Sequence, residues 1–97
     1  MKKTNEGGDS AARELVLTNK LGMHARPAAL FVKTASRFSS EITVEKDGEL
    51  VNGKSIMGLM MLAAGCGTTL KVLAHGADAI QALDEIEKLF AKKFNEE

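Results

Sequence analysis

Ile42-Thr43-Val44-Glu45-Lys46-Asp47-Gly48-Glu49-Leu50-Val51 reads as two strands joined by a tight turn. Ile42 and Val44 alternate with Thr43 and Glu45, the period of a strand with one buried face, and Asp-Gly accepts the positive φ angles of a two-residue hairpin turn. Such a turn sets Val44 opposite Val51 on the buried face. Asn52-Gly53-Lys54 ends the returning strand. Ser55 stands where an N-cap would start a short helix reaching about Ala64, which Gly65-Cys66-Gly67 stops.

On the N-terminal side of the hairpin, Ala28, Phe31, Val32 and Ala35 fall at i, i+3, i+4 and i+7, and Phe38 extends the stripe. This spacing predicts a helix over 25–37. Pro27 suits its first turn, because the N–H that proline lacks would have had no intrahelical partner there. Ahead of it, Leu15 and Leu17 alternate with Val16 in a strand over 13–18. On the C-terminal side, Leu70, Val72 and Ala74 alternate with Lys71, Leu73 and His75 in a fourth strand that ends at Gly76. Asp78 with Gln81 resembles a capping box, and Ala79, Ala82, Leu83, Ile86, Leu89 and Phe90 mark one face of a helix over 79–94. The order βαββαβα predicts an α+β fold in two layers, with three helices covering one face of a mainly antiparallel four-stranded sheet.

Residues 1–12 are polar, contain glycine and show no periodicity, so they read as a flexible tail ahead of a single domain over 13–97. Thirteen basic residues balance thirteen acidic ones, which argues against affinity gained by neutralising nucleic-acid phosphates; four Phe with no Trp or Tyr also offer few stacking platforms. A single cysteine forms no internal disulfide, and with two distant histidines it makes a poor metal set, so no metal or cofactor is expected. Met1-Lys2-Lys3 is followed by no apolar segment of a signal peptide, and no run of about 18 apolar residues occurs. These features place the chain in the cytoplasm without membrane insertion.

Gly22-Met23-His24-Ala25-Arg26-Pro27-Ala28 carries the chemistry. A helix N-terminus presents unsatisfied N–H groups and about half a positive charge, so a histidine there sits where a phosphoryl group can be held. On position alone, a capping or surface role is the commoner account of a lone histidine at a helix start. The neighbours favour the anion site: the N–H groups of Ala25, Arg26 and Ala28 and the guanidinium of Arg26 would meet a phosphoryl group on the ring. An exposed helix terminus contributes about 0.3–1 kcal/mol and each charge-assisted hydrogen bond about 1.5–3, enough to hold such a group without trapping it. That suits a carrier better than an enzyme. Gly22 would let a partner's backbone, or the ring, approach closely.

These seven residues together with Asn52-Gly53-Lys54-Ser55-Ile56-Met57-Gly58 resemble HPr, the histidine-containing phosphocarrier family of the bacterial phosphoenolpyruvate-dependent sugar phosphotransferase system. The resemblance extends over residues 14–94. It implies an open-faced β-sandwich, a monomer, and a phosphocarrier rather than an enzyme. By it, Nδ1 of His24 accepts a phosphoryl group from enzyme I and passes it to IIA domains of sugar permeases, with Arg26 steadying the charge. It also implies that Ser55 is phosphorylated by HPr kinase/phosphorylase as a regulatory brake, a role compatible with capping the helix. Leu59, Leu62 and Ala63 suffice for the buried face of that helix, which leaves Ile56, Met57, Met60 and part of Met61 for another surface. A methionine-rich helix also serves as adaptable core filling. The resemblance assigns Met23, Ile56, Met57 and Met60 to partner docking. Two other readings share these residues: a regulatory paralogue of a nitrogen-type phosphorelay, and an interaction module without phosphotransfer. Cys66 and His75 are expected to be incidental, and the lysines of the last helix a solvated face.

Overall fold

The computed structural model describes residues 9–96, so most of the expected tail, residues 1–8, lies outside the described residues. Four strands form one sheet: β1 (Ser10–Val16), β2 (Glu41–Lys46), β3 (Glu49–Asn52) and β4 (Thr69–His75). Its order is β1-β4-β2-β3, antiparallel throughout. Between the strands run α1 (Ala25–Ala35), α2 (Ile56–Met61) and, after β4, α3 (Ala79–Ala91). The hairpin forms as its sequence requires, with Asp47 and Gly48 both at positive φ and Val44 facing Val51. Among the described residues no helix is long and apolar enough to cross a membrane.

Strand alternation puts Leu15, Ile42, Val44, Leu70, Val72 and Ala74 on one sheet face, where they are buried under the helices. Ala28, Phe31 and Ala35 of α1, Leu59 of α2, and Ala82, Leu83, Ile86 and Phe90 of α3 complete the core. Glu14 and Lys71 face away on the open side, as period two dictates. The ring of Phe90 links the two long helices, edge-on to Phe31 with centroids 6.4 Å apart.

Four local expectations are corrected. First, β1 starts at Ser10, ahead of the boundary at Arg13, because Ser10, Ala11 and Ala12 pair with His75, Ala74 and Leu73. Second, α2 stops at Met61, short of Ala64: Ala63 turns to a φ of 52° and points outward, and Ala64 takes the buried place assigned to Ala63. Third, Asp78 makes no capping bond to α3. Its carboxylate instead accepts from the Ser39 N–H at 2.9 Å, the Ser40 N–H at 3.0 Å and the Ser40 hydroxyl, tying the α1–β2 turn to the start of α3. Fourth, both long helices end early, α1 at Ala35 and α3 at Ala91, and after α3 the chain enters a short turn, Lys93–Asn95. Lys93, Phe94 and Asn95 all adopt left-handed φ angles there, and the turn tucks Phe94 into the core 5.0 Å from Phe90.

Candidate functional site

His24 is the N-cap of α1, in extended backbone, and its side chain makes no capping bond. Two backbone bonds hold it: its own N–H donates to the Gly22 carbonyl at 3.0 Å, and the preceding Met23 N–H donates to Ala64 at 2.9 Å. The second bond fastens the histidine loop to the loop after α2. Gly22, at a φ of 69°, makes this approach workable, since a Cβ there would run into the Ala64 carbonyl. Its missing side chain thus serves a contact inside the chain, correcting the expectation of an approaching partner or ring.

The helix opening leaves the N–H groups of Ala25 and Arg26 without a backbone partner among the described residues. Ala28 does not join them: its N–H already donates to the His24 carbonyl at 3.1 Å, and the residue is buried. Pro27 explains the count, because it offers no N–H and Ala28 is the first residue whose N–H reaches back to the N-cap. Arg26 is exposed beside this opening, and with Lys20, Leu21, Asn95 and Glu96 it lines an open hollow of about 430 Å³. A larger hollow of about 700 Å³, between the end of α1 and α3, lies among the ion-paired Arg37, Glu85 and Lys88 and carries no comparable chemistry.

The His24 side chain is 36% exposed, open enough to meet another protein yet held on one side. Its Nε2 lies 3.0 and 3.2 Å from the two carboxylate oxygens of Glu96. Glu96 is itself held by Asn19, whose Nδ2 donates to it at 2.9 Å and to the Gly22 carbonyl at 2.7 Å. The Asn19 bond above all, then those of His24 and the nearby charge of Arg26, hold the Glu96 carboxyl below its ordinary pKa against opposing desolvation. Neither Glu96 nor Asn19 was among the residues expected from the sequence. No periodicity or spacing links them to His24, which Glu96 follows by 72 residues.

Ser55 caps α2 as its position predicts, accepting from the Gly58 N–H at 2.9 Å, and is half-buried. Ile56, Met57, Met60 and Met61 form one exposed apolar patch, with Met57 72% exposed. Met23 does not belong to it. Only 4% exposed, its side chain is part of the core, because the bond to Ala64 draws residue 23 inward and leaves His24 at the surface.

Residues 11–92 match the family model described as the PTS HPr component phosphorylation site. The chain is 54% identical over 79 residues to the phosphocarrier protein HPr of Treponema pallidum, covering 81% of this chain and 90% of that one. It is 51% identical over 74 residues to the HPr-like protein Crh of Halalkalibacterium halodurans, covering 76% and 88%. The crystal structure of HPr-C-His from Thermoanaerobacter tengcongensis superposes with a TM-score of 0.86 at 49% identity, covering 90% of this chain and 98% of that one.

Proposed function

Because the chain belongs to the HPr family of phosphocarrier proteins of the phosphotransferase system, we propose that His24 is its phosphoryl carrier, loaded on Nδ1 by enzyme I and unloaded onto IIA domains of sugar permeases in the cytoplasm. The observation that carries this reading is the half-exposed His24 ring at the mouth of α1, beside the N–H groups of Ala25 and Arg26, which have no backbone partner among the described residues. A phosphoryl group on the ring brings nearly two negative charges to a positive helix end, and the exposed Arg26 guanidinium completes its surroundings. The chain itself is the carried group's vehicle, with the partner proteins supplying the catalysis.

The patch of Ile56, Met57 and Met60 is the docking surface in this reading. Met side chains adapt to differently shaped partners, which fits one carrier that must meet both a donor and several acceptors. Ser55 borders the patch, so phosphorylation there by HPr kinase/phosphorylase adds about −1.5 to −2 charge next to the docking surface. The phosphate sits at a helix start, where it is tolerated by the fold, and it repels acidic groups of a partner.

Incubation with labelled phosphoenolpyruvate, magnesium and enzyme I tests the assignment. Acid-labile label is expected on the wild-type chain and absent from His24→Ala, while Ser55→Asp is expected to be labelled more slowly. A wild-type chain that stays unlabelled under conditions that charge another HPr would reject the carrier and leave an interaction module.

A further inference from the structure

Glu96 touches the side chain that the carrier reading makes reactive, and two separate features of the fold are spent on keeping it there. One is the turn after α3: Lys93, Phe94 and Asn95 lie at φ angles of 53°, 55° and 61°, a left-handed run that residues with a Cβ rarely adopt. Buried Phe94 anchors the turn in the core, and the turn delivers Glu96 to the mouth of α1. The other is Asn19, which is fully buried. Both neighbours of its amide, the Gly22 carbonyl and the Glu96 carboxylate, only accept, so its NH2 must face them. Its Oδ1 is thereby left buried without a hydrogen-bond partner among the described residues, a cost incurred in holding Glu96.

We propose that Glu96, braced by Asn19, is a positioning residue for phosphoryl transfer: it keeps the His24 proton on Nε2, so that the lone pair lies on Nδ1, and it balances the charge the ring gains on phosphorylation. The inference rests on the carrier reading of His24. With Glu96 accepting at Nε2, that nitrogen is the donor and the opposite one is the nucleophile. On loading, the Nδ1 lone pair forms the bond to phosphorus as the donor's N–P bond breaks and its electron pair returns to the donor's ring nitrogen. The proton stays on Nε2, and the phosphorylated ring is a cation facing a carboxylate. On unloading, the N–P bond breaks, its pair returns to Nδ1, and the ring is again neutral with Nε2–H intact. No proton leaves the site in either direction. The carboxylate meets the ring on the nitrogen opposite the phosphoryl group, which limits their repulsion.

The test uses the full chain labelled with nitrogen-15. The imidazole nitrogen shifts of the unphosphorylated protein report the His24 tautomer, and rapid-quench loading by phosphorylated enzyme I reports transfer. Wild type is expected to hold predominantly the Nε2–H form. In Glu96→Gln, which removes the charge but keeps the shape, the population is expected to move toward Nδ1–H and loading to slow about five-fold, since charge-assisted hydrogen bonds are roughly twice as strong as neutral ones. Glu96→Asp is expected to recover part of both effects. Glu96→Gln with an unchanged tautomer overturns the proposal, whether its loading rate falls or not, because a rate change alone would assign Glu96 to donor docking. A wild-type chain that enzyme I does not label overturns the carrier reading and this inference with it; a labelled one with an insensitive tautomer overturns this inference alone.

Discussion

Arg26 is exposed on the first turn of α1, and its charge reaches Glu96 without forming an ion pair among the described residues. Arg26→Ala should therefore shift stability by no more than about 0.5 kcal/mol, the usual range for surface positions. Loading by enzyme I should slow about ten-fold, the loss of one charge-assisted hydrogen bond of about 1.5 kcal/mol, as rapid-quench kinetics would show. Asp78 has the opposite character, structural and remote from the phosphoryl group. The Ser40 hydroxyl first, then the backbone N–H groups of Ser39 and Ser40, hold its carboxyl below the ordinary range. A folded-state pKa below the unfolded value of about 3.9 means that the unfolded chain binds more protons in that window, so stability rises with pH. The Asp78 contribution is fully present above about pH 5 and is lost as pH falls through the folded value. Urea unfolding should thus show Asp78→Ala less stable than wild type at pH 7, with the difference shrinking toward pH 3.

The helix α2 spans six residues, of which only Leu59 is buried, so most of its side chains add little to the core. A helix this short draws its order from its cap and its neighbours rather than from propensity. The Ser55 cap supplies the first and packing against α1 the second. Surplus apolar residues on such an element are free for another task, and Met57 is the most exposed of them. Met57→Asp should leave the melting temperature within a few degrees while raising the KM for the chain as a substrate of enzyme I. An unchanged KM would remove α2 from the docking surface. The turn Lys93–Asn95 behaves differently, since one residue, Phe94, fastens it to the core and fixes where the next residue lands.

Every element contributes to a single core, with β4 central between β1 and β2 and the long helices meeting through Phe31 and Phe90. Phe31 is fully buried at that junction, and Phe31→Ala should cost about 3–5 kcal/mol in urea unfolding, a large share of the roughly 5–15 kcal/mol available to a domain of this size. The hairpin at Asp47-Gly48, the apolar stripes of α1 and α3 and the strand alternation were legible from residue order, because each is set by contacts within a few positions or by a fixed period. His24 and Arg26 before Pro27, and Ser55 as a cap, were legible for the same local reason. Asp78 was misread as a cap because Ser39 and Ser40, 39 and 38 residues earlier, compete for its oxygens and win once α3 lies against the α1–β2 turn. Met23, which the resemblance assigns to partner docking, is buried instead, because its place depends on Ala64, supplied by another loop. The sequence by itself thus determined the elements, their order and the histidine at a helix mouth. Only the tertiary structure decided which polar groups pair, above all Asn19, Glu96 and His24, because a hydrogen bond across 72 or 77 residues depends on where the folded chain brings its ends and leaves no period in the sequence.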